Sequence, residues 1–339
     1  MNKKSLIIGF GNRAKEVVYP ALNILGHKIF IYSRNLNKLK TLKDFYNFEI
    51  IYDLNSENLQ NVDQIFVCTK NDSYENIIKK ICNTGLASKI TLFIDTPLLF
   101  HFFKINKFKK DFKNLVISED ETFDLINQVI KNLINENYSF KLFKINLNYY
   151  GLLIHSISQI MNILNLNKDN LIENKITYAF YLNLNKLKYF LKIANVKIFF
   201  NYGREWSSDK SNIEIFLKSK KNKIEIKKYK INYLFSDKIF DGFEVNGLKY
   251  KNKDLDHIKY NFRSFYEILK LNSSYKYQIK ILNFISMVNF YEFKKESNII
   301  NYIKGEYFAN ILNKMRFFIN FKIDLIKLRK ILYKFNKKI

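Results

Sequence analysis

Gly9, Gly11 and Ala14, at fixed spacing in Gly9-Phe10-Gly11-Asn12-Arg13-Ala14, follow directly on the apolar run Ser5-Leu6-Ile7-Ile8. A G-x-G-x-x-A turn between a strand and a helix suits a dinucleotide. The glycines allow a tight turn and close backbone approach, and Ala14 lets helix and strand pack. A pyrophosphate would then sit on the amides and positive dipole of the helix N-terminus. An ordinary glycine turn has the same local form, so the reading leans on its context of strand before and helix after. The next expected strand runs into Ser33-Arg34-Asn35. An acid here would bond the ribose 2′-hydroxyl of NAD, whereas an arginine accommodates the 2′-phosphate of NADP. Ser33 and Arg34, with no Asp or Glu, favour NADP; the alternative is a solvated arginine at a strand end.

The elements that must carry these residues follow from hydrophobic periodicity. Strands are expected at 5 to 10, 28 to 33, 48 to 52, 63 to 68, 90 to 95 and 115 to 118. Helices fall between them at about 13 to 25, 35 to 46, 73 to 84 and 98 to 111. This alternation implies a doubly wound parallel sheet of the Rossmann type, with fold class α/β. After a helix near 121 to 136 the pattern changes to longer strands of period two, at 139 to 149, 175 to 183, 190 to 202, 212 to 219, 222 to 230 and 243 to 250. They imply an α+β domain with a large, mostly antiparallel open sheet. Helices are expected again at about 256 to 270 and 274 to 294. The division is a dinucleotide-binding domain over 1–120, a substrate and oligomerisation domain over 121–298, and a helical extension over 299–339.

At 339 residues and 47% hydrophobic, the chain can hold two domains with real cores. It has no apolar run of transmembrane length and no signal-peptide pattern, so a cytoplasmic location is expected. Cys68 and Cys82 are too few and too separated for a disulfide framework, and four scattered histidines offer no metal-ligand spacing, so no metal is expected. The net charge of +26 would ordinarily suggest nucleic acid. Lysine, however, is raised throughout the chain along with Asn, Ile, Phe and Tyr, and no nucleic-acid module is present, so no nucleic-acid partner is expected. Only Pro20 and Pro97 remain of the prolines, and such survivors point to positions with a structural demand.

Several segments in order carry a resemblance: Gly9-Phe10-Gly11, Tyr19-Pro20-Ala21-Leu22, Tyr32-Ser33-Arg34-Asn35, Val67-Cys68-Thr69-Lys70-Asn71 and Ile94-Asp95-Thr96-Pro97, then Gly151-Leu152-Leu153-Ile154-His155 and Gln159-Ile160-Met161-Asn162. Together they resemble the Gfo/Idh/MocA oxidoreductase family over roughly 1 to 297. The resemblance implies an NAD(P)-dependent oxidoreductase acting on a sugar, nucleotide-sugar or cyclitol-like small molecule, and a homo-oligomer formed through the second sheet. It adds Thr69, Lys70, Asn71, Asp95 and Pro97 to Gly9, Gly11, Asn12, Arg13, Ala14, Ser33 and Arg34 as the cofactor-binding set.

The chain departs from the family where proton transfer is done. Glu-Lys-Pro has become Asp95-Thr96-Pro97, and His-x-x-Asp has become Gln159-Ile160-Met161-Asn162. Thr96 and Gln159 hydrogen-bond but carry no proton near neutral pH. Three readings stay open. His155, four residues before Gln159 and hence on the same face of a helix, takes over the proton, with Tyr74 and Lys70 flanking. Alternatively the chain binds cofactor and ligand without turnover, as a binding or assembly module. In the third it is similar to the biliverdin-reductase branch, with Glu119 and Glu121 assisting. A structural role is the bland alternative for His155, for Tyr74 as one of 23 tyrosines, and for Asp95 as an anchor of its turn.

The last stretch places Phe318, Phe321, Leu325, Leu328 and Leu332 at helical spacing against a basic face. Packing on the protein itself or on an oligomer partner is the favoured reading, ahead of docking on an anionic membrane.

Overall fold

The computed structural model describes residues 3–96, 105–149, 159–160, 162–164, 177–183, 186–193, 196–202, 212–221, 224–237, 239–250 and 275–293. Sheet one is parallel throughout. It contains β1 (Lys4–Ile8), β2 (Lys28–Tyr32), β3 (Glu49–Ile50), β4 (Gln64–Val67), β5 (Thr91–Asp95) and β6 (Asn114–Ser118), in the order β3-β2-β1-β4-β5-β6. Residues Ser5 to Ile8 of β1 align with both Ile29–Tyr32 of β2 and Gln64–Val67 of β4. The winding therefore reverses beside β1, and the crevice of a doubly wound sheet opens at that strand's carboxyl end.

Strands buried on both faces read as continuous apolar runs, and here alternate residues serve opposite layers. Leu6, Ile8, Ile65, Val67, Leu92, Ile94, Leu115 and Ile117 share a core with Ile77, Ile78 and Ile81 of the helix Tyr74–Asn83 and with Val129 and Ile130 of the helix Ile126–Glu136. Ile7, Ile31, Phe66, Phe93 and Val116 share the other core with Val17, Val18 and Leu22. That second layer is completed from far along the chain. The helix Tyr275–Phe293 lays Ile281, Phe284, Ile285 and Val288 into it, and Phe66 stacks on Phe93 with ring centroids 4.6 Å apart and lies 5.7 Å from Phe284. A segment that sequence assigns to the second unit thus closes the first sheet.

The first helix begins as a π-helical turn, Ala14–Val18, and continues as α-helix Tyr19–Ile24. Pro20 lacks an N–H, and its ring crowds the carbonyl one turn earlier, which a wider turn relieves.

Sheet two has eight strands among the described residues, β7 (Phe140–Tyr149), β8 (Thr177–Asn183), β9 (Lys186–Ile193), β10 (Val196–Tyr202), β11 (Asn212–Ser219), β12 (Ile226–Ser236), β13 (Ile239–Val245) and β14 (Leu248–Tyr250), in the order β14-β13-β12-β11-β7-β10-β9-β8, with β7 and β10 parallel and every other pair antiparallel. Alternation decides its faces. In β11 (Asn212–Ser219), Ile213, Ile215 and Leu217 are fully buried in the core shared with the first sheet. Glu214 on the other face bonds Asn146 at 2.7 Å and pairs with Lys228 at 2.6 Å.

Several boundaries differ from the sequence reading: the strand expected over 222 to 230 runs Ile226–Ser236, and the helix expected over 98 to 111 is described only at its end, which holds a 3-10 turn, Lys107–Lys110. The single strand expected over 190 to 202 is two, Lys186–Ile193 and Val196–Tyr202, paired antiparallel with Val196 opposite Ile193. The apolar alternation runs on through Ala194 and Asn195 with no Gly or Pro to break it. The strand expected over 243 to 250 is a hairpin, Ile239–Val245 with Leu248–Tyr250, turned at Asn246 (φ 51°) and Gly247 (φ 87°). Asn-Gly supplies the two positive φ angles of a tight hairpin turn. The helix expected near 256 to 270 and the extension 299–339 lie outside the described residues. Among the described residues no helix is long and apolar enough to cross a membrane, and no group of His, Cys, Asp and Glu could hold a metal ion.

Candidate dinucleotide site

The crevice is built by the ends of β1, β2, β4 and β5. Gly9 N–H donates to the Tyr32 carbonyl at 2.8 Å, and Cys68 N–H donates to the Ile8 carbonyl at 2.8 Å, so both neighbours leave β1 at the same level. Gly9 sits at φ +88°, and a Cβ there would lie 2.7 Å from Thr69 Cγ2 and 2.8 Å from the Cys68 carbonyl oxygen. Only glycine fits, on grounds of backbone angle and of space. At Gly11 a Cβ would meet no atom of the described residues within 4 Å. Gly11 and Asn12 are exposed, while Ala14 is fully buried. The first glycine therefore serves packing, the second leaves its backbone open, and the small residue lets the helix close on the strand. This division of labour is the one a pyrophosphate cradle needs, and the residues present fit a dinucleotide.

Arg13 turns inward. Its Nη2 donates to Asp120 Oδ1 at 2.6 Å, its Nε lies 3.4 Å from Asp95 Oδ1, and its Cζ is 5.7 Å from the centroid of the Phe284 ring. Burial alone would lower the pKa of the guanidinium, but Asp120, Asp95 and Glu121 overcome it and hold the group charged. Asp120 is only 1% exposed in its side chain. Burial raises its pKa to about 7 against the pull of Arg13. Nearby, Asp124 accepts the Tyr233 hydroxyl at 2.7 Å and the Ile126 N–H at 3.0 Å, yet burial still raises its pKa to about 6. Lys280 of the last helix approaches Glu121 at 3.7 Å.

The other candidates scatter in environment. Ser33 is half-buried and Arg34 exposed at the end of β2. Thr69 is half-buried, its Oγ1 2.7 Å from Ser73 Oγ, and Lys70 is exposed. Asn71 opens a short 3-10 turn, Asn71–Ser73. Tyr74 is buried, and its hydroxyl donates to the Asp95 carbonyl at 3.0 Å, tying the ends of the fourth and fifth strands together. Thr96 is half-buried beside Asp95. Gln159 is fully buried, and neither atom of its amide has a hydrogen-bond partner among the described residues. Pro97 and His155 lie outside the described residues. The structure thus gathers Gly9, Gly11, Arg13, Thr69 and Asp95 at one end of the sheet.

Sequence reasoning missed Asp120 and Lys280, which complete the charge cluster around Arg13. The available signal was Glu119-Asp120-Glu121 directly after a wholly buried strand, where acids must find partners or protons.

Sequence comparison with curated proteins returns no significant match. The sequence model of the family described as NADP oxidoreductase, coenzyme F420-dependent, matches residues 4–96, the span from β1 to the end of β5. Among solved structures, the dehydrogenase MviM of Clostridium difficile superposes with a TM-score of 0.58 at 18% identity, covering 93% of this chain and 100% of its own. An oxidoreductase of Thermotoga maritima gives 0.54 at 14% identity, covering 86% and 95%. A super-repressor mutant of Gal80p from Saccharomyces cerevisiae gives 0.53 at 12% identity, covering 92% and 97%. The chain shares the fold of these dehydrogenases, a parallel sheet with a glycine turn at the switch point joined to a large mixed sheet, which is the fold that the Gfo/Idh/MocA resemblance implies.

Proposed function

We propose that the protein is a dinucleotide-dependent oxidoreductase that prefers NADP and acts on a small carbohydrate-like or cyclitol-like molecule. The observation that carries the reading is the Gly9–Ala14 turn at the switch point, closed against Thr69 and Cys68 at Gly9 and open at Gly11. When bound, the dinucleotide supplies or accepts the hydride. The chain's part is to hold the pyrophosphate on the amides of Gly11 and Asn12, receive the 2′-phosphate near Ser33 and Arg34, and carry a proton at the substrate oxygen. His155 is our candidate for that proton, because Thr96 and Gln159 replace the family's Lys and His.

Calorimetric titration with NADP and NAD tests the cofactor preference. NADP is expected to bind more tightly. Arg34→Ala should weaken NADP about tenfold, the scale of one hydrogen bond to a charged group, and leave NAD nearly unchanged. Equal affinity for both, or an indifferent Arg34→Ala, would contradict the preference.

A second reading, ligand binding without turnover, is favoured by the buried amide of Gln159, which has no hydrogen-bond partner among the described residues and stands where the family carries its His. It predicts NADP binding with no oxidation or reduction of any polyol or sugar offered.

A further inference from the structure

Arg13 draws several carboxylates to the base of the turn. Its guanidinium meets Asp95 at 3.4 Å and Asp120 at 2.6 Å, and Lys280 stands 3.7 Å from Glu121. Of these acids Asp120 and Glu121 are buried. Cys68 lies beside Asp95 and Arg13 as a thiol kept neutral by burial. Glu119 on the same segment is also buried, and Asp124 feels Glu121. Among the described residues one oxygen of Asp120 is engaged. Oδ1 accepts from Arg13, while Oδ2 is buried with no hydrogen-bond partner among the described residues. A bare carboxylate oxygen in a dry interior is costly, and a protonated one far less so.

We propose that this cluster couples dinucleotide binding to proton uptake: a pyrophosphate arriving on the Gly9–Asn12 turn brings negative charge beside Arg13, and Asp120 takes a proton from solvent onto Oδ2. The inference rests on the dinucleotide-binding reading above. Added negative charge favours the neutral form of a nearby acid. Burial already holds Asp120 near the midpoint, at about 7, with Glu121 pushing up and Arg13 and Lys280 pulling down, so a modest field moves its occupancy. Arg13 remains charged throughout. By reciprocity, if binding takes up a proton, a rise in pH weakens binding.

The test is calorimetric titration of the full chain and of Asp120→Asn with NADP at pH 7, in PIPES and in Tris, whose ionisation enthalpies differ. The 2′-phosphate titrates near pH 6, so the readout is the difference between the two proteins. The wild type is expected to take up a few tenths of a proton more per dinucleotide than Asp120→Asn. Its affinity should also fall roughly threefold to tenfold further between pH 6 and pH 8. Binding with no such difference overturns the proposal. If Asp120→Asn does not fold, the same two-buffer titration of the wild type with NAD, which carries no group ionising near neutrality, decides: uptake supports the proposal and its absence overturns it. Binding of neither dinucleotide overturns the functional reading and the coupling together, an outcome distinct from binding without uptake.

Discussion

Arg13→Ala is expected to cost about 1–3 kcal/mol of folding stability near pH 8, because it removes a charged hydrogen bond and leaves the buried Asp120 carboxylate to stay charged or take a proton. The loss should be large because Arg13 holds three groups at once: Asp120, Asp95 and the face of Phe284. The pH dependence has a definite sign. Burial raises Asp120 above its unfolded value, so between about pH 4 and its folded pKa the folded state binds more protons and stability falls as pH rises. Without Arg13 the folded pKa climbs further. The deficit of Arg13→Ala should therefore be greatest near pH 8 and shrink toward pH 5. Urea unfolding at the two pH values checks this, and Arg13→Ala combined with Asp120→Asn should recover part of the loss. A deficit below about 1 kcal/mol, or one independent of pH, would contradict the ion-pair account.

The largest kinetic loss is expected from His155→Ala. If His155 carries the proton at the substrate oxygen, its removal should lower turnover by about two to four orders of magnitude while NADP affinity stays nearly unchanged, since a general acid or base contributes on that scale. Thr96→Ala should cost much less, because a neutral hydrogen bond is worth only about 0.5–1.5 kcal/mol. Steady-state rates on a responsive polyol or sugar separate the two. Full turnover in His155→Ala with binding intact would shift the proton to another group, with Lys70 the next candidate.

What was legible in the sequence was whatever local pattern decides alone. Ser5 to Ala14 combines an apolar run, two glycines and a small residue, and its conformation needs little from elsewhere. The alternation to residue 118 gave the parallel sheet for the same reason, because buried parallel strands and amphipathic helices have different periods. The hairpin at Asn246-Gly247 had a readable turn, but the apolar pattern on either side carried the expected strand straight through it. Between Ile193 and Val196, where one strand ends and the next begins, the sequence has no comparably strong punctuation. Least legible were relations between distant segments. Nothing local to Tyr275–Phe293 says that it covers the first sheet, since a helix apolar on most of its surface fits any interior. The inward turn of Arg13 depends on Asp120, 107 residues away. Read in its motif, Arg13 belongs to the cofactor-binding set; in the fold it also pairs with Asp120 and Asp95 beneath the turn.

The measurement that tests the central claim most directly is calorimetric titration of NADP into the full chain and into Gly11→Ala, with thermal melts of both. A Cβ at Gly11 meets no atom of the described residues within 4 Å, so stability should change by no more than about 0.5 kcal/mol. The same Cβ would stand where the backbone must approach the pyrophosphate. The account predicts saturable binding of about one dinucleotide per chain and a loss of at least about tenfold in Gly11→Ala at unchanged melting temperature. No saturable binding of NADP or NAD, or equal affinity in Gly11→Ala, would contradict it.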